Sequence, residues 1–323
     1  MPAPPALARA TDLTGPALGA SVDRLDASLR APVRHHLDGG GKRVRAALVL
    51  AAAAAAGAPE RAGVPGAVAV ELVHNYSLLH DDIIDGDRQR RHRATVWVEY
   101  GVGPAIVAGD ALAGLALQVL LDDPTPERVR AAGRLAEANQ AMIAGQASDM
   151  AFEKRPSVSV AECLAMEEGK TGALVACAAA LGGLLAGAPD ETVEALDLFG
   201  RHLGVAFQAV DDLLGIWGEP SVTGKPVGSD LLGRKKTLPV AVAMASGGPA
   251  AGELEELLWG EMDAPDVARA TALVERCGGR AEVVALADHR LHQAIDALDA
   301  ATLEPAAAGE LVAIARYVTA RDR

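Results

Sequence analysis

The sequence predicts an all-α protein built as a single large domain, on three observations. Half of the 323 residues are apolar, and Ala and Leu dominate them, while aromatics are limited to three Trp, three Tyr and three Phe. That balance favours helices, since strands are enriched in aromatic and β-branched residues. Second, Gly/Pro clusters at Gly39–Gly41, Gly57–Pro65, Asp122–Pro126, Gly187–Pro189, Gly218–Gly228 and Gly247–Pro249 divide the chain into segments of helical length. Third, none of the connections between these segments is long or low enough in complexity to separate domains. A charged fraction of 23% and a mean hydropathy of +0.17 exclude disorder over most of the length.

In chain order, 1–16 is Pro/Ala-rich and is expected to be a mobile tail, with 17–323 forming the domain. Helical periodicity starts near Val22. Ala46–Ala56 and Ala173–Ala188 are apolar almost throughout, yet shorter than the roughly 20 residues of a membrane span. They read as helices buried on all sides, in a chain that does not span a membrane. The net charge of −13 argues against a nucleic-acid or anionic-membrane partner. Any anionic substrate must be held by a local concentration of Lys and Arg. Cys163, Cys177 and Cys277 are odd in number and widely spaced, as buried thiols of a reducing compartment would be. Because the first twenty residues carry no continuous apolar run, a cytoplasmic location is expected.

Chemistry concentrates in four segments. In Glu71–Asp85 the apolar positions suit a helix, which makes Asp81 and Asp85 i,i+4 neighbours with Asp82 beside them. Like charges at that spacing repel unless a cation joins them, and carboxylates completed by water and phosphate oxygens describe a Mg²⁺ site. A solvated acidic helix end would carry the same residues. Arg88, Arg90, Arg91 and Arg93 follow at once, so acids that hold a metal would stand beside guanidiniums that grip a diphosphate. Paired acids recur about 130 residues later as Asp211-Asp212 in Phe207–Gly215. A basic, glycine-rich stretch runs from Gly224-Lys225 to Lys235-Lys236-Thr237, and Gly40-Gly41-Lys42-Arg43-Val44-Arg45 sets three cations at a helix N-terminus, a natural anion site.

GGKRVR, HNYSLLHDDIIDGDRQRR, GVGPAIVAGDAL, KTGALVA, FQAVDD and GKPVGSDLLGRKKTLP stand in that order. In these motifs the chain resembles the trans-isoprenyl diphosphate synthases (polyprenyl synthetase family) from about Leu25 to Tyr317–Arg323. The resemblance implies a helical bundle of the isoprenoid synthase type around a central cavity. It also implies a homodimer and two or three Mg²⁺ ions. Lys42, Arg45, His74 and Arg91 would bind the diphosphate of isopentenyl diphosphate. Asp81 and Asp85, supported by Asp82, would hold Mg²⁺ on the allylic diphosphate, and Asp211 a further ion from the opposite helix. Arg90, Lys170, Lys225 and Lys235 would neutralise that diphosphate, while Thr171 and Gln208 would turn oxygens toward the allylic cation. Tyr76, five residues before the first motif, and Ser77 would floor the tunnel for the growing chain. With two residues between Asp82 and Asp85, they favour geranylgeranyl over farnesyl diphosphate as product.

One position departs from the family pattern: the second motif ends in Gly215 where a third Asp is usual. A class I terpene cyclase or a non-catalytic subunit on the same scaffold are the competing readings. Retention of Lys42, Arg45, His74 and Arg91 favours elongation, because a cyclase has no second diphosphate to hold. Intact Asp81, Asp82 and Asp85 speak against an inactive subunit. His35, His36, His92 and His202 lack a metal-ligand partner at useful spacing and read as surface or cap residues. Trp97, Trp217 and Trp259 read as core or interface anchors, and Gln146 and Asp149 as residues of the cavity wall or of helix pairing.

Overall fold

The computed structural model describes residues 2–220, 227–260 and 262–320. The chain is helical almost throughout: α1 (Pro5–Val22), α2 (Ala27–Leu37), α3 (Val44–Ala55), α4 (Val64–Ile84), α5 (Val96–Tyr100), α6 (Val102–Leu121), α7 (Pro126–Phe152), α8 (Val160–Glu167), α9 (Ala173–Leu185) and α10 (Asp190–Trp217). Then come α11 (Ser229–Leu232), α12 (Leu238–Ala245), α13 (Gly248–Trp259), α14 (Ala264–Arg276), α15 (Gly279–Leu298) and α16 (Pro305–Thr319). Extended structure among the described residues is one hairpin, β1 (Gln89–Arg90) against β2 (Arg93–Ala94), with Gln89 opposite Ala94.

The two apolar runs become α3 and α9, which pack on each other at the centre. Almost every residue of both is buried, so an all-round apolar sequence was required of them. Around this pair stand α4, α7, α10 and α16, with α15 behind α10. Ala and Gly at the contacts let the axes come close. At Gly145 of α7 a methyl would strike the Lys170 backbone.

The expected mobile tail is a helix instead. Pro5 stands in the first turn of α1, where the absent N–H has no intrahelical partner to lose. Pro16 lies on the exposed side, where water serves the carbonyl it leaves free. Ala6, Leu7, Ala10 and Leu18 are buried against the core, and Arg9 reaches Glu60 at 2.9 Å and Glu310 at 2.5 Å. A second difference concerns α6. It is long and apolar enough by length and composition to cross a membrane, and it is 44% buried within the fold. Val102, Ile106 and Val107 leave an exposed apolar stripe of short length over its first two turns.

Candidate active site

A cavity of about 900 Å³ opens between the C-terminal halves of α4, α7 and α10. Both acid pairs sit near helix C-termini: Asp81 and Asp82 in the last turn of α4, Asp211 and Asp212 two turns from the end of α10. In the last turn of α4 carboxylates are disfavoured by the helix dipole, and adjacent acids repel in both clusters, so each needs cations from elsewhere. Asp81, Asp211, Lys170, Thr171, Gln208 and Lys235 line the cavity, as do Tyr76 and Ser77. Asp85 caps α4 at the rim, 3.6 Å from Lys235 Nζ. Burial pushes Asp81 above the usual carboxylate range, against the nearby charge of Lys170. Lys235, although buried, is held above the ordinary lysine range by Asp85 and Asp230.

Asp82, expected in support of Asp81 and Asp85, does not line this wall. Adjacent helix residues point about 100° apart, and Asp82 turns inward, where Arg90 Nε donates to its Oδ1 at 2.7 Å. It is 1% exposed, its Oδ2 has no hydrogen-bond partner, and burial raises it to about 6 despite Arg90. Its role is to aim Arg90. Asp212 is likewise buried and serves as a hub: its Oδ1 accepts from Gln208 Nε2 at 2.8 Å and its Oδ2 from the Leu238 amide at 2.9 Å. Gln208 Oε1 is thereby turned to Thr171, whose hydroxyl donates to it at 2.7 Å. Lys170 and Thr171 lie in a π-helical turn, Glu168–Gly172, which adds a residue to the helical path and brings both side chains to the cavity.

A second cavity of about 490 Å³ adjoins the first and shares Lys42, Arg45, His74, Arg91 and Phe207 with it. Arg43, between two of these cations, turns away to Glu71 Oε2 at 2.7 Å, while Glu71 Oε1 accepts from the Ala46 amide. The Arg45 Nε is buried without a partner. Burial, then Arg45 and Arg91, push His74 far below the ordinary histidine range, so it stands there as a neutral imidazole. Arg91 and His92 form the two-residue turn of the hairpin, with φ of 53° and 62°. Positive φ at both positions suits such a turn but is costly for side chains other than Gly or Asn. The strain sets Arg91 over Gly41, and Arg90 over Asp82. Lys42 lies 5.7 Å from the ring centre of Tyr317, so α16 closes this side.

Lys225 lies outside the described residues. Two residues that matter here, Glu167 and Asp230, were not expected as site residues, and a third, Asp149, was expected only in the cavity wall or in helix pairing. Asp149 pairs with Lys170 at 2.5 Å. Glu167 is buried and hydrogen-bonded to Asp212; burial, then that neighbour, push its carboxyl well above the usual range, so it keeps a proton. Asp230 fills with its carboxylate the space that a side chain at Gly215 would take. Glu167 is an isolated acid in the sequence and Asp230 one acid within a basic stretch, neither with a spacing that singles it out, whereas Asp149 follows Gln146 in the pattern read as cavity wall or helix pairing. His36 is a further correction: it is buried, not at the surface, and burial together with Arg90 and Arg91 lowers it to about 3.

The residues fit Mg²⁺ in one way. Among the described residues no three His, Cys, Asp or Glu side chains converge into a metal cage. Single carboxylates on facing helices suit an ion that completes its octahedron with water and phosphate oxygens.

A family model described as polyprenyl synthetase matches residues 26–275. The chain is 47% identical to a (2E,6E)-farnesyl diphosphate synthase and 45% identical to a geranylgeranyl diphosphate synthase, both of Mycobacterium tuberculosis. In both cases 98% of this chain and 93% of the relative are covered. The fold superposes on a polyprenyl synthetase from Streptomyces coelicolor A3(2) with a TM-score of 0.93, at 46% identity over 97% and 98% of the two chains. Sequence kinship along nearly the whole length thus agrees with the paired cavities, and the chain belongs to the polyprenyl synthetase family as a prenyltransferase.

Proposed function

We propose that this chain condenses isopentenyl diphosphate head to tail with an allylic diphosphate, with geranylgeranyl diphosphate as its main product. The observation that carries this reading is the pair of adjoining cavities: the larger brings carboxylates and cations together, while the smaller is lined by Lys42, Arg43, Arg45 and Arg91 with Glu71 as its one acid. An enzyme that ionises and cyclises a single diphosphate has no use for the second.

The allylic diphosphate would lie among Asp81, Asp85, Asp211, Arg90, Lys170 and Lys235. Asp81, Asp85 and Asp211 would hold Mg²⁺, which when bound neutralises charge on the leaving diphosphate. Arg90, Lys170 and Lys235 add fixed positive charge where negative charge grows as the C–O bond breaks. The cation left behind faces the Thr171 hydroxyl. Because that hydroxyl gives its proton to Gln208, its lone pairs are free to turn toward the cation. Lys42, Arg45, His74 and Arg91 would seat the second diphosphate so that its alkene approaches past Phe207. The new C–C bond forms, a proton is lost to the departing diphosphate, and the chain grows by five carbons. Tyr76 would stop growth at the tunnel end. The exposed stripe of α6 would be covered by a second copy of the chain.

The test is a product assay: purified protein, Mg²⁺ and labelled isopentenyl diphosphate with dimethylallyl, geranyl or farnesyl diphosphate, the dephosphorylated products being sized by chromatography. A C20 alcohol is expected. Hydrocarbon formed from the allylic diphosphate alone would overturn the reading.

A further inference from the structure

Tyr76 is secured from two sides. Its ring is 6% exposed and shares the cavity lining with Met142 and Ile143 of α7. Its hydroxyl donates to Asn139 Oδ1 at 2.5 Å, one turn earlier on α7. Burial, and then the charge of Asp81, push the phenol up to about 12, so it remains a donor at any working pH. On the other side His80 meets the ring edge-on, with ring centres 5.6 Å apart. His80 is itself fixed: its Nε2 lies 3.0 Å from the Ile106 carbonyl oxygen. Its ring also lies so close over Gly109 of α6 that a methyl there would overlap it. Asn139 of α7 thus holds the phenol directly, and α6 backs it through His80.

We propose that Asn139 and His80 are specificity-determining residues, which clamp the Tyr76 ring across the tunnel end and so set the length at which elongation stops. The inference rests on the reading of Tyr76 as the tunnel floor. An aromatic side chain attached only at its own Cα can change rotamer when a growing chain presses on it. Tied at the hydroxyl and backed by His80, it can swing aside only by breaking a buried hydrogen bond and displacing a ring that Gly109 and Ile106 hold. The barrier to overrun is then a property of α4, α6 and α7 together.

The experiment compares product distributions for Tyr76→Phe, Asn139→Ala, Asn139→Asp, the Tyr76→Phe/Asn139→Ala pair and Tyr76→Ala, with farnesyl diphosphate as primer. Tyr76→Phe keeps the ring and the fold and removes only the tie. The expected result is about a fivefold rise in product one unit longer for Tyr76→Phe and for Asn139→Ala, equivalent to about 1 kcal/mol. The double variant should match the single ones, since both remove one bond, and Asn139→Asp, which keeps an acceptor, should retain the parent distribution. Longer product from Tyr76→Ala alone, with Tyr76→Phe and Asn139→Ala unchanged, overturns the clamp and leaves the floor standing. An unchanged distribution in Tyr76→Ala overturns the floor and the clamp together.

Discussion

Gly215 tests how the second acidic motif works with one acid fewer. A methyl added there would overlap the Asp230 carboxylate and nothing else within 3 Å, and that carboxylate is the mobile end of a side chain. Gly215→Ala should therefore separate stability from catalysis. In a helix interior the change is worth about 1 kcal/mol in favour of folding, part of which is lost in moving Asp230, so Tm should stay constant or rise by about 2 °C. Catalysis should move the other way. After Asp85, Asp230 is the acid that most favours the charged form of Lys235 at the cavity wall, and each loss of about 1.4 kcal/mol of transition-state stabilisation is about tenfold in rate. Values of kcat/KM for the allylic diphosphate should therefore fall roughly tenfold to a hundredfold. The assay is steady-state kinetics with a Mg²⁺ titration, beside a thermal melt of the same preparations. The paired variant Gly215→Asp/Asp230→Ala, which moves the acid from α11 to α10, should recover much of the loss. A kcat/KM for Gly215→Ala within twofold of the parent would refute the reasoning, because Asp230 would then be displaced at no catalytic cost.

Other outcomes follow from the same geometry. Asp212→Ala leaves the Leu238 amide and the Gln208 side chain without an acceptor in a buried place, so the fold should lose about 2–4 kcal/mol in denaturant titrations. His36 takes up a proton below pH 6.5 when unfolded but only near pH 3 in the fold. Stability should accordingly fall by about 2 kcal/mol between pH 7 and pH 5 on its account, and His36→Asn should flatten melting curves over that interval. The Asp82–Arg90 pair needs an ionised Asp82, raised to about 6; kcat/KM should show an acid limb near that pH, which Asp82→Asn replaces with a uniformly low rate. Ile106→Glu on the bare stripe of α6 should convert a dimer to monomer in light scattering, and a parent protein that is already monomeric would exclude that use of the stripe.

How much was legible in the sequence depended on whether the cause was local. Helix ends marked by Gly187–Pro189 or Asp122–Pro126 are local, and so is the repulsion within Asp81–Asp85 that called for a cation. The π-helical turn at Glu168–Gly172 is not. It answers to the close approach at Gly145, which no spacing in KTGALVA announces. The inward turn of Asp82 could have been read from helix geometry, since neighbours of Asp81 cannot share its face. Glu167 and Asp230 could not, because each gains its meaning from a partner more than ten residues away, Asp212 and Gly215; Asp149 was placed in the cavity wall or in helix pairing, but without its partner Lys170. The helix at the N-terminus was hidden by its prolines, both of which occupy positions where a helix tolerates them.

Among the described residues, four other than glycine hold positive φ: Arg43, Arg91, His92 and Arg234. Three are arginines, and all four lie in the basic loops around the two cavities. Each bend costs on the order of 1–2 kcal/mol, and crowding adds to it, since the charged form of Arg91 is disfavoured by burial and by Arg90 and Arg43. The consequence concerns timing. A cradle bent and charged before any substrate arrives has little left to rearrange during bond making. The inorganic diphosphate produced in each cycle meets the same waiting cations, and its escape is the expected bottleneck of turnover.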